Sequence, residues 1–250
     1  MRHFSKDGYS RQGYTLEFLR RGAPPPRYAH AIGGKHSIPG ATCPWCSRPL
    51  LLLATLDTRD PRLGLELKWD DDTDFALGSA RVPVDHVRRR ELPLFYCWYC
   101  APASMCYRIT SGGGVDVLDH DVSMGPPEFV ERPDYPLFFP RRPVRLVRIP
   151  DDVRAALRRH RVGKLSDADE RRYSRFLWPR HQVGGVPYFA QGGMGTGTGC
   201  TLCTTGDSGT LAAIADDSGT KGGFVGSSSV QVLFRYCIPC QVVNGANECG

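Results

Sequence analysis

Eight of the ten cysteines in this 250-residue chain fall into four C-x-x-C pairs: Cys43 with Cys46, Cys97 with Cys100, Cys200 with Cys203, and Cys237 with Cys240. A pair at this spacing turns two sulfurs toward one tetrahedral ion, and two such knuckles close its coordination sphere, most often around zinc. The count predicts two structural zinc ions, each held by four thiolates. A closed sphere leaves no position for substrate, so the metal is expected to hold the fold together and not to catalyse. The two remaining thiols, Cys106 and Cys249, read as ordinary cysteines.

Short apolar runs must position these knuckles. Leu50–Asp57 (LLLLATLD) leaves the first knuckle and Leu92–Tyr96 (LPLFY) arrives at the second; Thr210–Asp217 (TLAAIADD) and Val232–Tyr236 (VLFRY) do the same for the third and fourth. These runs have strand length and strand composition. Antiparallel pairing of the outgoing and returning strands would bring two knuckles to one end of a ladder. The intervening segments hold 50 residues between Cys46 and Cys97 and 33 between Cys203 and Cys237, a difference that loop closure tolerates because its cost grows only logarithmically. Pairing of knuckles across the halves stays open at this level.

The two halves read as copies. His36-Ser-Ile-Pro-Gly40 precedes the first knuckle, and His181-Gln-Val-Gly-Gly185 precedes the third; Cys106 follows the second knuckle as Cys249 follows the fourth. The expectation is a duplicated unit of roughly 70 to 90 residues, with His36 and His181 in matching structural roles. The fold class expected is mainly β, a β-rich α+β protein of two β-roll lobes. The lobes would span residues 1–120 and 181–250, joined by a connector at 121–180 that is rich in proline and arginine.

That connector begins extended, with prolines crowded between Pro126 and Pro143, and then turns helical. Asp151 and Asp152 can cap a helix DDVRAALRRHR with Val153, Ala156 and Leu157 on its apolar face; Ser166 can cap a second, SDADERRYSRFL, carrying Tyr173, Phe176 and Leu177. From Arg141 to Arg180 there are 12 Arg and 1 Lys against 5 acids, an excess of +8 in a chain whose total is +6. Such a stretch serves either as a contact surface for nucleic acid or an acidic partner, or as solvated helix faces whose arginines pair with nearby acids; the second is favoured because no recognition helix accompanies the charge. Arg88, Arg89 and Arg90 form a smaller patch, and Asp70, Asp71, Asp72 and Asp74 an acidic one.

Three motifs imitate catalytic ones. Gly206-Asp207-Ser208-Gly209 copies a serine-protease nucleophile turn, with His30 imaginable as its base, but it sits between a knuckle and a strand, where a tight turn is required. Gly192–Gly199 (GGMGTGTG) is glycine-rich like a phosphate loop yet leads into a knuckle instead of a helix. The histidines show no HExxH spacing. No apolar export segment or 18-residue apolar span is present, so a cytoplasmic location with reduced thiols and no membrane partner is expected.

His181-Gln-Val-Gly-Gly-Val-Pro-Tyr-Phe-Ala-Gln191 resembles the signature of the YwqG-like family, and the arrangement of LLLLATLD and LPLFYCWYC between paired knuckles is similar to the N-terminal region of the programmed-cell-death-2 family. The resemblance covers about Gly33 to Tyr107 and His181 to Gly250. In the first half Ile38-Pro-Gly-Ala-Thr stands where the signature has Gly-Gly-x-Pro. The resemblance implies a duplicated, mainly-β, non-enzymatic protein, and in the first family a bacterial immunity protein that binds and neutralises a cognate toxin. The second family implies the alternative of a chaperone-like binder of a ribosomal or other basic protein. A nucleic-acid-binding zinc protein using the basic connector is the further alternative.

Overall fold

The computed structural model describes residues 12–20, 22–63, 65, 90–100, 102–121, 137–188, 200–202, 210–215, 230–237 and 240–249. The Asp70–Asp74 cluster, Arg88, Arg89, the start of the proline-rich stretch, Gly192–Gly199, Gly206–Gly209 and Cys203 lie outside the described residues. Among the described residues eleven strands form one curled antiparallel sheet. In chain order they are β1 (Tyr14–Phe18), β2 (Ala31–Gly34), β3 (Leu51–Asp57), β4 (Glu91–Tyr96), β5 (Ser104–Ile109), β6 (Val115–Asp121), β7 (Phe139–Arg148), β8 (Gln182–Val183), β9 (Thr210–Ala215), β10 (Val230–Cys237) and β11 (Val242–Cys249). Their order across the sheet is β4-β3-β2-β7-β1-β8-β9-β10-β11-β5-β6.

The runs expected to pair do so. β3 pairs antiparallel with β4 from Leu51↔Tyr96 to Asp57↔Glu91, and β9 pairs with β10 from Gln231↔Ala215 to Arg235↔Thr210. β3 is buried at every residue, which is why it reads as a continuous apolar run and not as an alternation. On β9 and β10, Ala212, Ile214, Val232 and Phe234 face the main core, while Ala213 and Leu233 face a second cluster beneath the helices. The period of two thus serves two cores at once.

β7 is the pivot of the sheet. Its first half, Phe139–Pro143, pairs with β2 through an irregular register, and its second half, Val144–Arg148, pairs with β1. Pro140 and Pro143 both fall in the first half, where the irregular ladder asks less of the strand's backbone N–H groups. Val144 and Leu146 point inward and Arg145 and Arg148 outward, so part of the connector's charge is simply the solvent face of a strand.

The two expected helices are present as α1 (Asp151–Arg161) and α2 (Asp167–Tyr173), the latter continuing into a 3-10 turn at Ser174–Phe176. Val153, Ala156 and Leu157 are buried as expected, and the Ser166 hydroxyl accepts from the Asp169 N–H. Pro150, not an aspartate, occupies the N-cap of α1; Asp151 and Asp152 lie in its first turn, where they favour the helix dipole. Among the described residues five connector arginines pair with acids: Arg145 with Glu17, Arg148 and Arg154 with Asp151, Arg159 with Asp169, and Arg172 with Asp152.

The curl closes through Tyr107. Its hydroxyl accepts from the Phe95 N–H at 2.8 Å and donates to the Pro93 carbonyl at 2.9 Å. β4 is the last strand of the ladder, and these two outward backbone groups are satisfied by a side chain from β5, near the opposite end of the strand order.

Candidate metal centres

The first knuckle is a turn closed by the Thr42↔Pro49 bridge, with the Cys43 N–H donating to the Arg48 carbonyl and the Ser47 N–H to the Cys43 carbonyl. Ser47, just after Cys46, takes a left-handed backbone with φ of 57°. The second knuckle, Cys97–Cys100, lies between β4 and β5 and so arrives at the same end of the β3–β4 ladder. The sulfurs of Cys43 and Cys100 lie 3.7 Å apart, as do those of Cys46 and Cys97. Four sulfurs about 2.3 Å from a tetrahedral zinc are separated by about 3.8 Å, so the spacing fits the ion.

His120 on β6 joins this cluster. Its Nε2 is 3.4 Å from the Cys43 sulfur, and the donor atoms of Cys43, Cys97, Cys100 and His120 all lie within 4.8 Å of one another. Cys46 is not one of those four mutually close donors, but its sulfur lies 3.7 Å from that of Cys97, so Cys46 and His120 are alternative fourth ligands for a tetrahedral ion. Nothing in the spacing of the sequence points to His120, which stands twenty residues past Cys100; only the β5–β6 hairpin, pairing Met105 with His120, brings it back.

The thiols of the cluster are set against one another. A hydrogen bond from Cys97 pulls the Cys43 thiol down to about 4, while that same bond and burial push Cys97 up, and burial with adjacent sulfurs pushes Cys100 up to about 12. One thiolate is stabilised at the expense of its neighbours. A divalent ion removes the conflict, because it compensates several thiolates at once.

The second cluster gathers Cys200, Cys237 and Cys240, whose sulfurs lie within 4.8 Å of one another. Cys237 ends β10, and Gln241, just after Cys240, has φ of 54°, repeating the left-handed residue after Cys46. The Cys237 thiol is pushed up by Cys200 and by burial. Both clusters therefore form within a half, which settles the pairing left open by the sequence for the seven knuckle cysteines described. Cys106, from the first half, packs against the second cluster: β5 pairs with β11, and the Cys106 sulfur accepts from Thr201 at 3.6 Å and Asn244 at 3.7 Å. The side chain of Cys249 is not described.

The matching of histidines is corrected. His36 is half-buried and its Nε2 donates to the Leu50 carbonyl, whereas His30 and His181 share one role. His30 Nδ1 accepts from the Asp57 N–H at the end of β3, and His181 Nδ1 accepts from the Ala215 N–H at the end of β9. The registers agree, since Ala31↔Thr55 and Ile32↔Ala54 correspond to Gln182↔Ala213 and Val183↔Ala212. Gly33-Gly34 then matches Gly184-Gly185, and all four glycines have positive φ. The Gly-Gly pair that seemed missing from the first half lies at Gly33, five residues before Ile38.

The surroundings of the two histidines differ. His30 Nε2 contacts Asp60 at 2.8 Å, and Asp60 is clasped by Arg62 at 2.6 Å. Both ring nitrogens are committed, which leaves none for the protease-like base role considered from sequence. His181 is fully enclosed and pushed down to about 4 by burial and by the charge of Arg142.

Among the described residues no helix is long and apolar enough to cross a membrane. No family model, curated protein or solved structure matches the chain.

Proposed function

We propose that this chain is a non-enzymatic protein-binding module made from a duplicated unit, each copy fastened by a structural zinc ion. The observation that carries the reading is the meeting of knuckle sulfurs in each half, 3.7 Å apart in the first cluster, as around a tetrahedral ion, and within 4.8 Å of one another in the second. The shared His–strand bond, register and Gly-Gly turn at His30–Gly34 and His181–Gly185 support duplication. Cys203 is assigned as the fourth ligand of the second site. A metal enclosed in this way supplies folding energy, on the order of 10 to 16 kcal/mol of apparent binding.

The role we assign is immunity: a rigid, metal-fastened sheet whose loops occlude a cognate toxin in the cytoplasm. Support comes from the resemblance of His181–Gln191 to the YwqG-like signature. The test is co-expression. The gene beside this one in its genome of origin is predicted to encode a toxin whose growth arrest this chain relieves, with the two proteins co-purifying as a complex. A toxin neighbour that kills regardless, or neighbours confined to housekeeping genes, would count against immunity while leaving the zinc sites untouched.

A further inference from the structure

An open groove of about 580 Å³ runs between β1 and the stretch from Ser174 to His181, lined by Leu16, Phe18, Arg175, Trp178, Pro179 and Arg180, with Thr15 and Glu17 at its edge. The guanidiniums of Arg175 and Arg180 line it, and a third, that of Arg142, stacks on the lining ring of Phe18; among the described residues aromatic rings rather than carboxylates hold them. Arg142 lies 3.5 Å over the Phe18 ring, and Arg175 and Arg180 lie 4.7 and 4.9 Å from the centre of Phe176. Among the described residues none of the three pairs with an acid, and the buried Nε of Arg180 has no hydrogen-bond partner. Glu17 is the carboxylate that Arg180 senses, but it is already bound to Arg145 at 3.3 Å.

The first half offers a contrast in how arginines are held. Beside His30, Asp57 and Asp60 are buried and clasped by Arg59 at 2.7 Å and Arg62 at 2.6 Å. At the position matching Asp57 the second half has Ala215, whose side chain carries no carboxylate. Stacked guanidiniums present planar, pre-oriented N–H forks, which suit a carboxylate taken in two parallel hydrogen bonds. Trp178, 46% exposed, and Phe18 add an apolar wall. Glu17 on the rim disfavours a polyphosphate or nucleic-acid backbone more than a single carboxylate, because repulsion grows with ligand charge.

We propose that this groove is the docking site for an acidic segment of the partner protein, one carrying an Asp or Glu next to an aromatic or aliphatic side chain. The proposal rests on the binding-module reading. It is tested with a random peptide library displayed on phage and selected on the full-length, zinc-loaded protein. Enriched sequences are expected to combine an acid with a neighbouring apolar residue. A synthetic peptide of the consensus should change Trp178 fluorescence and lose at least tenfold in affinity on Asp→Asn or Glu→Gln substitution, or against Arg175→Ala/Arg180→Ala. The exposed Arg175→Glu variant serves if the double variant does not fold, and an unchanged metal content shows that either variant is intact. Failure to enrich acidic peptides, equal affinity for the arginine variants, or tighter binding of a mononucleotide at the same groove would overturn it. A toxin complex that survives Arg175→Glu would reject the groove alone and leave the immunity reading standing.

Discussion

Replacing Tyr107 by Phe removes one oxygen atom from the place where the curled sheet closes. That oxygen is fully buried, and it serves as both acceptor for the Phe95 N–H at 2.8 Å and donor to the Pro93 carbonyl at 2.9 Å. Burial pushes the phenol upward, so it remains a neutral donor throughout the working pH range. The ring contact with Phe95, 5.8 Å between centroids, survives the substitution, which isolates the hydrogen bonds. A buried polar group left without its partner costs about 1–3 kcal/mol; with two such groups on one edge strand, partly relieved by shedding a buried hydroxyl, the expected loss is roughly 3 kcal/mol. At 2–4 °C per kcal/mol for a chain of this size, the melting temperature should fall by about 6–12 °C. Thermal unfolding at fixed zinc concentration measures this, and hydrogen exchange at the Phe95 amide locates it. A shift under about 1 °C with unaltered Phe95 protection would refute the claim that a side chain completes the β4 edge.

Three further outcomes follow from the same geometry. Because Cys46 and His120 are alternative fourth donors beside Cys43, Cys97 and Cys100, Cys46→Ser and His120→Ala should each keep the first ion, whereas the double variant should drop from two ions per chain to one; cobalt absorption distinguishes the sulfur-rich from the mixed ligand set, and loss of the ion in either single variant contradicts a spare donor. His181 is held at about 4 against an ordinary value near 6.5, so the unfolded chain takes a proton that the native one refuses. The stability from its neutral ring is complete above about pH 6.5 and is lost as pH falls toward 4; between pH 7 and 5 the loss is about 2 kcal/mol, and urea unfolding of His181→Gln should show a pH slope smaller by that amount. Gly40 has φ of 76°, and a Cβ there would overlap the Val115 carbonyl oxygen, so Gly40→Ala should destabilise by roughly 3 kcal/mol or more. Gly22→Ala, with φ of 81° but open space, should cost only about 1 kcal/mol in the same denaturation assay.

The features legible in the sequence were those carried by local spacing. C-x-x-C knuckles, the buried runs Leu51–Asp57 and Thr210–Ala215, and the Ser166-capped helix all depend on residues a few positions apart. What escaped depends on strand pairing over long separations. β1 and β7 meet across more than a hundred residues, and neither is marked by more than a short alternation among arginines and prolines. His120 and Cys106 reach the two clusters only because β5 pairs with both β6 and β11. A shared motif is visible as His-x-[Ile/Val]-Gly-Gly at His30 and His181, but matching from the knuckles points to His36, since the spacing from histidine to knuckle differs between the halves. Strand register, not distance to the cysteines, is what the two segments share.

The central claim is that each half is fastened by one ion bound to its own thiolates. Native mass spectrometry of the intact protein tests this most directly, by weighing the ions and counting the protons displaced from sulfur. The account predicts two zinc ions per chain, with no disulfide and with unfolding on removal of both ions by a chelator. A mass showing fewer than two ions on a fully folded chain, or knuckle cysteines joined to each other as disulfides, would contradict it.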